Sequence, residues 1–280
     1  MKYTTLISAE DLVLRQGDVK FVLVDCRPGG NGEGSPYLNG HVPGAVYADL
    51  ENDLSGEIVF GKTGRHPLPT VEDFVETVKK WGVDAETQVV AYDDTGNSNA
   101  VRLWWMMRWV GHDRVAVLDG GLPAWIHAAG VISTRPGVVT TSDFEAVPRP
   151  ELMVGADDVD WIRKDSDYKL VDSRSAIRFR GEEERLDPVA GHIPGAVSLP
   201  FEENLTADGF FRDREELRQR FEDVVGDTTP EHVIFYCGSG VTAAHNILAF
   251  VHSGLGEPRL YPGSWSEWIA DSDRPVAGGG

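Results

Sequence analysis

The chain has 280 residues, 41% hydrophobic and 25% charged, which is a globular composition with room for one large domain or two ordinary ones. A formal net charge of -19 argues against nucleic acid or an anionic membrane surface as a partner, and no apolar run approaches the length of a membrane span. Two distant cysteines argue against a disulfide framework, and eight scattered histidines without Cys-x-x-Cys or His-Glu-x-x-His spacing give no reason to expect a metal.

Met1-Lys2-Tyr3-Thr4-Thr5-Leu6 lacks an apolar signal core, so with unpaired thiols a cytoplasmic location is expected. Ser8-Ala9-Glu10-Asp11 predicts a capped helix that stops at Gly17. Phe21 to Arg27 reads as a buried strand, followed by a Gly-rich loop and Gly40-His41-Val42-Pro43-Gly44-Ala45-Val46. Asp53 to Pro69 is a long polar loop. Thr70 opens a helix ending near Trp81-Gly82, and Gln88 to Tyr92 is a strand leading into the turn Asp93 to Asn99. The segment Ala100–Val110 is apolar nearly all round, which predicts a helix buried between layers. Val115 to Asp119 is another strand, and Gly120-Gly121-Leu122-Pro123-Ala124-Trp125 opens the next helix.

The order then restarts. Tyr168 to Arg174 repeats the first long strand, and Gly191-His192-Ile193-Pro194-Gly195-Ala196-Val197 repeats the glycine–histidine motif almost letter for letter. Asp213 caps a helix ending at Gly226, Val233 to Tyr236 repeats the strand ending at Tyr92, and Arg259 to Trp268 repeats the segment ending at Trp125. A duplicated α/β unit with parallel sheets follows, with domains at 1–132 and 156–280 and a proline-bearing linker at 133–155. His41 and His192 occur in both halves and so read as architecture. Cys26 aligns with Ser173 and reads as a packing residue.

The halves differ at one place. Cys237 follows the strand Val233–Tyr236 and begins Cys237-Gly238-Ser239-Gly240-Val241-Thr242, ahead of a helix pattern running to Ser253. Asp93 stands at the equivalent point in the first half. A cysteine at a strand end facing a helix N-terminus lies among unpaired N–H groups and the positive end of the dipole, which favours thiolate. Gly238 and Gly240 free the backbone to aim N–H groups at the sulfur. One half is therefore expected to be active and the other supporting.

Two other readings fail on context. Gly56-Glu57-Ile58-Val59-Phe60-Gly61-Lys62-Thr63 matches a phosphate-binding loop, but no strand pattern precedes it, and Pro67 and Pro69 exclude a regular helix after it. A cysteine phosphatase needs an arginine six residues beyond its nucleophile, where this chain has Ala243.

On the Cys237–Thr242 loop, the duplicated glycine–histidine motif and Gly263-Ser264-Trp265-Ser266-Glu267-Trp268, the chain resembles the tandem-domain rhodanese superfamily, most of all its branch acting on 3-mercaptopyruvate. The resemblance implies two rhodanese-like domains, the second catalytic, with the active site between them and no cofactor. It implies that Cys237 takes sulfur from a small anionic donor as a persulfide and passes it to cyanide, a thiol or a thioredoxin-like acceptor. By the same resemblance Gly238, Gly240, Val241 and Thr242 line the substrate, and Arg178 and Arg185 hold its carboxylate and carbonyl. Ser239 joins a proton relay with His66 and a carboxylate of the first domain, at Glu51 where aspartate is usual, with Asp49 nearby as an alternative. Thiosulfate is the competing donor. The neutral Gly238 and Ser239 stand where thiosulfate enzymes place basic side chains, which favours a monoanion. A non-catalytic persulfide carrier is the reading from another class.

Overall fold

The computed structural model describes residues 2–15 and 20–278, so the helix stop expected at Gly17 lies outside the described residues. The chain forms two compact units, one of residues 1–56, 69–149 and 207–210, the other of 57–68, 150–206 and 211–280.

In the first unit the strands are β1 (Leu6–Ile7), β2 (Phe21–Asp25), β3 (Val46–Tyr47), β4 (Gln88–Tyr92) and β5 (Val115–Leu118). The helices are α1 (Ala9–Arg15), α2 (Pro36–Asn39), α3 (Val71–Lys80), α4 (Ala100–Trp109) and α5 (Gly121–His127). The five strands form one parallel sheet in the order β1-β5-β4-β2-β3. All of β4 and β5 is buried, as continuous apolar strands covered on both faces must be. Every residue of α4 is buried too, which matches its all-round apolar pattern. The cation of its first turn, Arg102, donates to the carbonyl of Leu54.

In the second unit β6 (Lys169–Asp172), β7 (Val197–Ser198), β8 (Val233–Tyr236) and β9 (Arg259–Leu260) form a parallel sheet in the order β7-β6-β8-β9. The helices are α6 (Ala156–Ile162), α7 (Ala176–Phe179), α8 (Arg214–Val225), α9 (Ala243–His252) and α10 (Ser264–Trp268). Asp213 caps α8 by accepting the Glu216 N–H at 2.9 Å, and Gly226 ends it with φ of 57°. Tyr236, Tyr261, Trp265 and Trp268 fill a core with Ile193 and Ile234.

The duplicated motifs are a duplicated lock. Arg27 clamps Asp25 at 2.7–3.1 Å and donates to the carbonyl of Gly40 at 2.6 Å. Arg174 clamps Asp172 at 2.6–3.1 Å and donates to Gly191 at 2.6 Å. Each lock ties the end of a central strand to the turn that opens the glycine–histidine motif. The tyrosines ending β4 and β8 complete it, their hydroxyls accepting the N–H of Val42 at 3.1 Å and of Ile193 at 3.2 Å. His41 stacks on Tyr37 and bonds two carbonyls, and His192 stacks on Phe179. These histidines pack and brace turns.

The stretch expected to link the domains is laid along the first unit as far as Arg149. Ser142, Val147 and Arg149 donate backbone N–H bonds to Lys79, Val110 and Trp109. Extended backbone finds its partners there instead of in water. From Pro150 the chain belongs to the second unit, where the Val154 N–H bonds the Leu260 carbonyl. Residues 57–68 also belong to the second unit, although the repeat alone assigns them to the first.

Candidate active site

β8 delivers Cys237 to the C-terminal edge of the second sheet, where its side chain is only 1% exposed. The loop is clasped from below by the turn between β9 and α10. The Cys237 N–H donates to Ser264 Oγ at 3.0 Å, while the N–H groups of Trp265 and Ser266 donate to the carbonyls of Cys237 and Gly238 at 3.0 and 2.9 Å. Ser264 is fully buried and left-handed with φ of 56°, and its hydroxyl donates to Tyr261 O. A serine in that region is strained, and the clasp holds it there. Gly240 has φ of 76° and lies against Pro262, so its N–H reaches Cys237 Sγ at 3.2 Å. An N–H aimed at sulfur stabilises negative charge there. Val241 is buried beside it, and Thr242 is the N-cap residue of α9.

The 57–68 segment supplies the next groups. Gly64 lies so close to the clasp that a methyl group on it would sit 2.6 Å from Gly263 O, and the Arg65 N–H donates to Ser266 Oγ at 3.0 Å. With the backbone pinned there, His66 Nδ1 and Ser239 Oγ share a 2.8 Å hydrogen bond. No strand leads into Gly56, and the next helix begins only at Val71, so the phosphate-loop pattern lacks its structural context.

Two guanidinium groups stand over Gly238. A methyl group there would lie 2.9 Å from Arg65 Nη2 and 3.7 Å from Arg178 Nη1. Arg178 is oriented by Glu184 at 2.8–3.0 Å and Asp187 at 3.2 Å, and Arg65 pairs through Nη1 with Asp187. Among the described residues this leaves Arg65 Nη2 and Arg178 Nη1 without a protein acceptor. Burial opposes charge on Glu184, yet the Leu186 N–H and Arg178 hold its carboxyl below the usual range. Burial pushes the Asp187 carboxyl up, and neighbouring Glu184 adds to this against the arginines.

Arg65 was not singled out by the sequence, although a cation beside His66 was a visible signal. Arg185, expected at the donor, is not brought to the loop. Its side chain is 83% exposed and pairs with Glu183, because it lies in a surface bend whose inward positions are taken by Glu184 and Asp187. Glu51 is exposed in the first unit. Asp49 is committed to its own turn, accepting from the N–H groups of Glu51 and Asn52 at 3.0 Å.

The first unit shows the equivalent loop with Asp93 in place of the cysteine. Asp93 is fully buried and accepts the N–H groups of Thr95, Asn97, Asn99 and Ala100 at 2.8–3.0 Å. The nest is filled by the chain's own carboxylate. Asp93→Ala leaves four donors without their acceptor, those of Asn97 and Ala100 buried, and is expected to cost about 2–4 kcal/mol, read as a lower urea midpoint at unchanged slope. Cys26, behind this nest, is buried. Burial first, then Asp93, Asp25 and Asp53, push its thiol well above the ordinary range, so it stays protonated. Among the described residues, no cluster of three or more acidic, histidine or cysteine side chains is placed to hold a metal, and no helix is long and apolar enough to cross a membrane.

Two parallel-sheet units, a duplicated Asp–Arg lock and a cysteine-bearing strand–helix loop define the class: the chain belongs to the rhodanese family, the rhodanese-like domain matching residues 8–128 and 156–271. The two rhodanese-like domains implied by the resemblance are borne out. Among relatives, a probable 3-mercaptopyruvate sulfurtransferase of Pseudomonas aeruginosa is 41% identical over 283 residues, covering 100% of both chains. A putative thiosulfate sulfurtransferase, SseB of Mycobacterium tuberculosis, is also 41% identical, over 87% of this chain and 85% of its own. The crystal structure of SseA, a 3-mercaptopyruvate sulfurtransferase from Escherichia coli, matches with a TM-score of 0.81 at 31% identity, covering 95% of this chain and 100% of that one.

Proposed function

We propose that the chain is a cytoplasmic sulfurtransferase that takes sulfur from 3-mercaptopyruvate through a persulfide on Cys237. One observation carries this reading: Cys237 Sγ has an N–H aimed at it, and two guanidinium groups with N–H donors to spare stand over the next residue, Gly238. The donor's carboxylate bridges Arg178 and Arg65, which brings its thiol sulfur to Cys237. The thiolate attacks that sulfur, forming an S–S bond as the C–S bond breaks. The bonding pair leaves on C3 as the enolate of pyruvate, which a proton then quenches. Ser239 and His66, joined at 2.8 Å, move that proton. The acceptor, which is cyanide, a small thiol or a thioredoxin-like protein, then attacks the outer sulfur and releases the Cys237 thiolate.

A second reading, thiosulfate as the preferred donor, draws on the Mycobacterium tuberculosis relative and on Arg65, a cation the loop sequence does not contain. The test is kcat/KM for each donor with cyanide as acceptor, with intact mass recorded after each donor alone. A gain of one sulfur and at least about tenfold preference for 3-mercaptopyruvate are expected. Reversed preference would replace the first reading with the second, and failure to gain sulfur or to turn over would leave only the carrier reading.

A further inference from the structure

The cradle over Gly238 is an ion quartet. Arg65 and Arg178 supply two positive charges. Glu184 and Asp187 supply two negative ones, and their side chains are only 3% and 2% exposed. Asp187 is the shared member, since it pairs with Arg65 and also accepts from Arg178 at 3.2 Å. Arg174, 3.5 Å from Glu184, brings its own counter-ion in Asp172. The quartet therefore sums to zero while still presenting unpaired N–H donors. Glu184 and Asp187 are buried against the arginines and weakly screened, so changing any one member shifts the net charge of the cradle over Gly238 by one.

Arg65 is also well rooted. Its backbone is bonded to Ser266, the preceding Gly64 packs against Gly263, and its side chain is still 32% exposed. That combination fixes where the guanidinium starts and leaves its far end able to meet a ligand.

We infer that Arg65 is a donor-specificity residue, and that its pairing with Asp187 adapts the cradle to a monoanionic donor over a dianionic one. The inference rests on the sulfurtransferase reading above. A neutral cradle with two free N–H groups satisfies one carboxylate. A dianion such as thiosulfate needs a surplus positive charge, which Asp187 cancels. Removing the Asp187 charge frees Arg65 Nη1 and leaves the cradle with an excess of one cation. Removing Arg65 leaves it with an excess of one anion.

The experiment measures kcat/KM for thiosulfate and 3-mercaptopyruvate, with cyanide as acceptor, in the full chain and in Asp187→Asn, Arg65→Met, Arg65→Lys and the Asp187→Asn/Arg65→Met double variant. D187N is expected to raise the thiosulfate-to-mercaptopyruvate ratio roughly tenfold, and R65M to lower it by a similar factor. R65K keeps the charge and stays near the native ratio. The double variant restores cradle neutrality and returns within about threefold of the native ratio. Equal losses with both donors in D187N and R65M would mean that the pair is only structural and would overturn the inference while leaving the sulfurtransferase reading intact. Should D187N fail to fold, R65M alone decides, because an unchanged ratio there removes Arg65 from donor selection. If the native chain accepts sulfur from neither donor, the reading beneath the inference is what fails.

Discussion

Cys237→Ser is expected to abolish sulfur uptake and to lower turnover with cyanide by roughly a thousandfold or more, as when a covalent nucleophile is removed. A hydroxyl at this position is far too weak an acid to supply an anion at neutral pH, and oxygen cannot carry a transferable sulfane sulfur as the persulfide does. The substitution is nearly isosteric in a site that is 1% exposed, and its hydroxyl can still accept the Gly240 N–H, so the stability cost is only about 1 kcal/mol. Cys26→Ser is the control. Its thiol is held protonated by burial and by Asp93, Asp25 and Asp53, so its loss leaves sulfur uptake in place. Intact mass after donor exposure, paired with thermal unfolding, separates the outcomes. Uptake by the folded Cys237→Ser protein would remove the nucleophile from the mechanism.

Gly240→Ala is expected to be nearly as damaging, for a reason of backbone geometry. The φ of 76° costs an alanine about 1 kcal/mol by itself. The added methyl would lie 2.2 Å from Pro262 O, a backbone atom that cannot swing aside. The loop must move, at a total cost of roughly 2–4 kcal/mol. Movement turns the Gly240 N–H away from Cys237 Sγ, and losing a donor aimed at developing negative charge lowers kcat by roughly a hundredfold. Urea unfolding reads the first effect and single-turnover sulfur transfer the second. Full turnover in a measurably destabilised variant would show that this N–H is dispensable.

The two effects explain why this loop was readable. The strand Val233–Tyr236 and the helix after Thr242 follow from local apolar pattern. A glycine at 240 is demanded by local conformation, so both left direct marks in the chain. The duplication was equally plain, because the Asp–Arg lock needs the same residue types at the same spacing in each half. Arg65 and Arg185 show the opposite case. Both are arginines in polar turns. Which one faces Gly238 depends on where the 57–68 segment lies, and a clasp of Gly64 and Arg65 on Gly263 and Ser266, some 200 positions away, decides that. Ser264 is similar: its sequence motif was recognisable, but its bond to the Cys237 N–H was not.

Sequence by itself determined the repeated α/β units and the placing of Cys237 and Asp93 at equivalent strand ends, since strand, turn and helix are set by neighbours close along the chain. Only the tertiary structure decided which charges stand over Gly238, the residue after Cys237. Side chains remote in sequence meet there because two backbone segments pack within van der Waals reach, and the electrostatic balance of Arg65, Arg178, Glu184 and Asp187 exists only once they do.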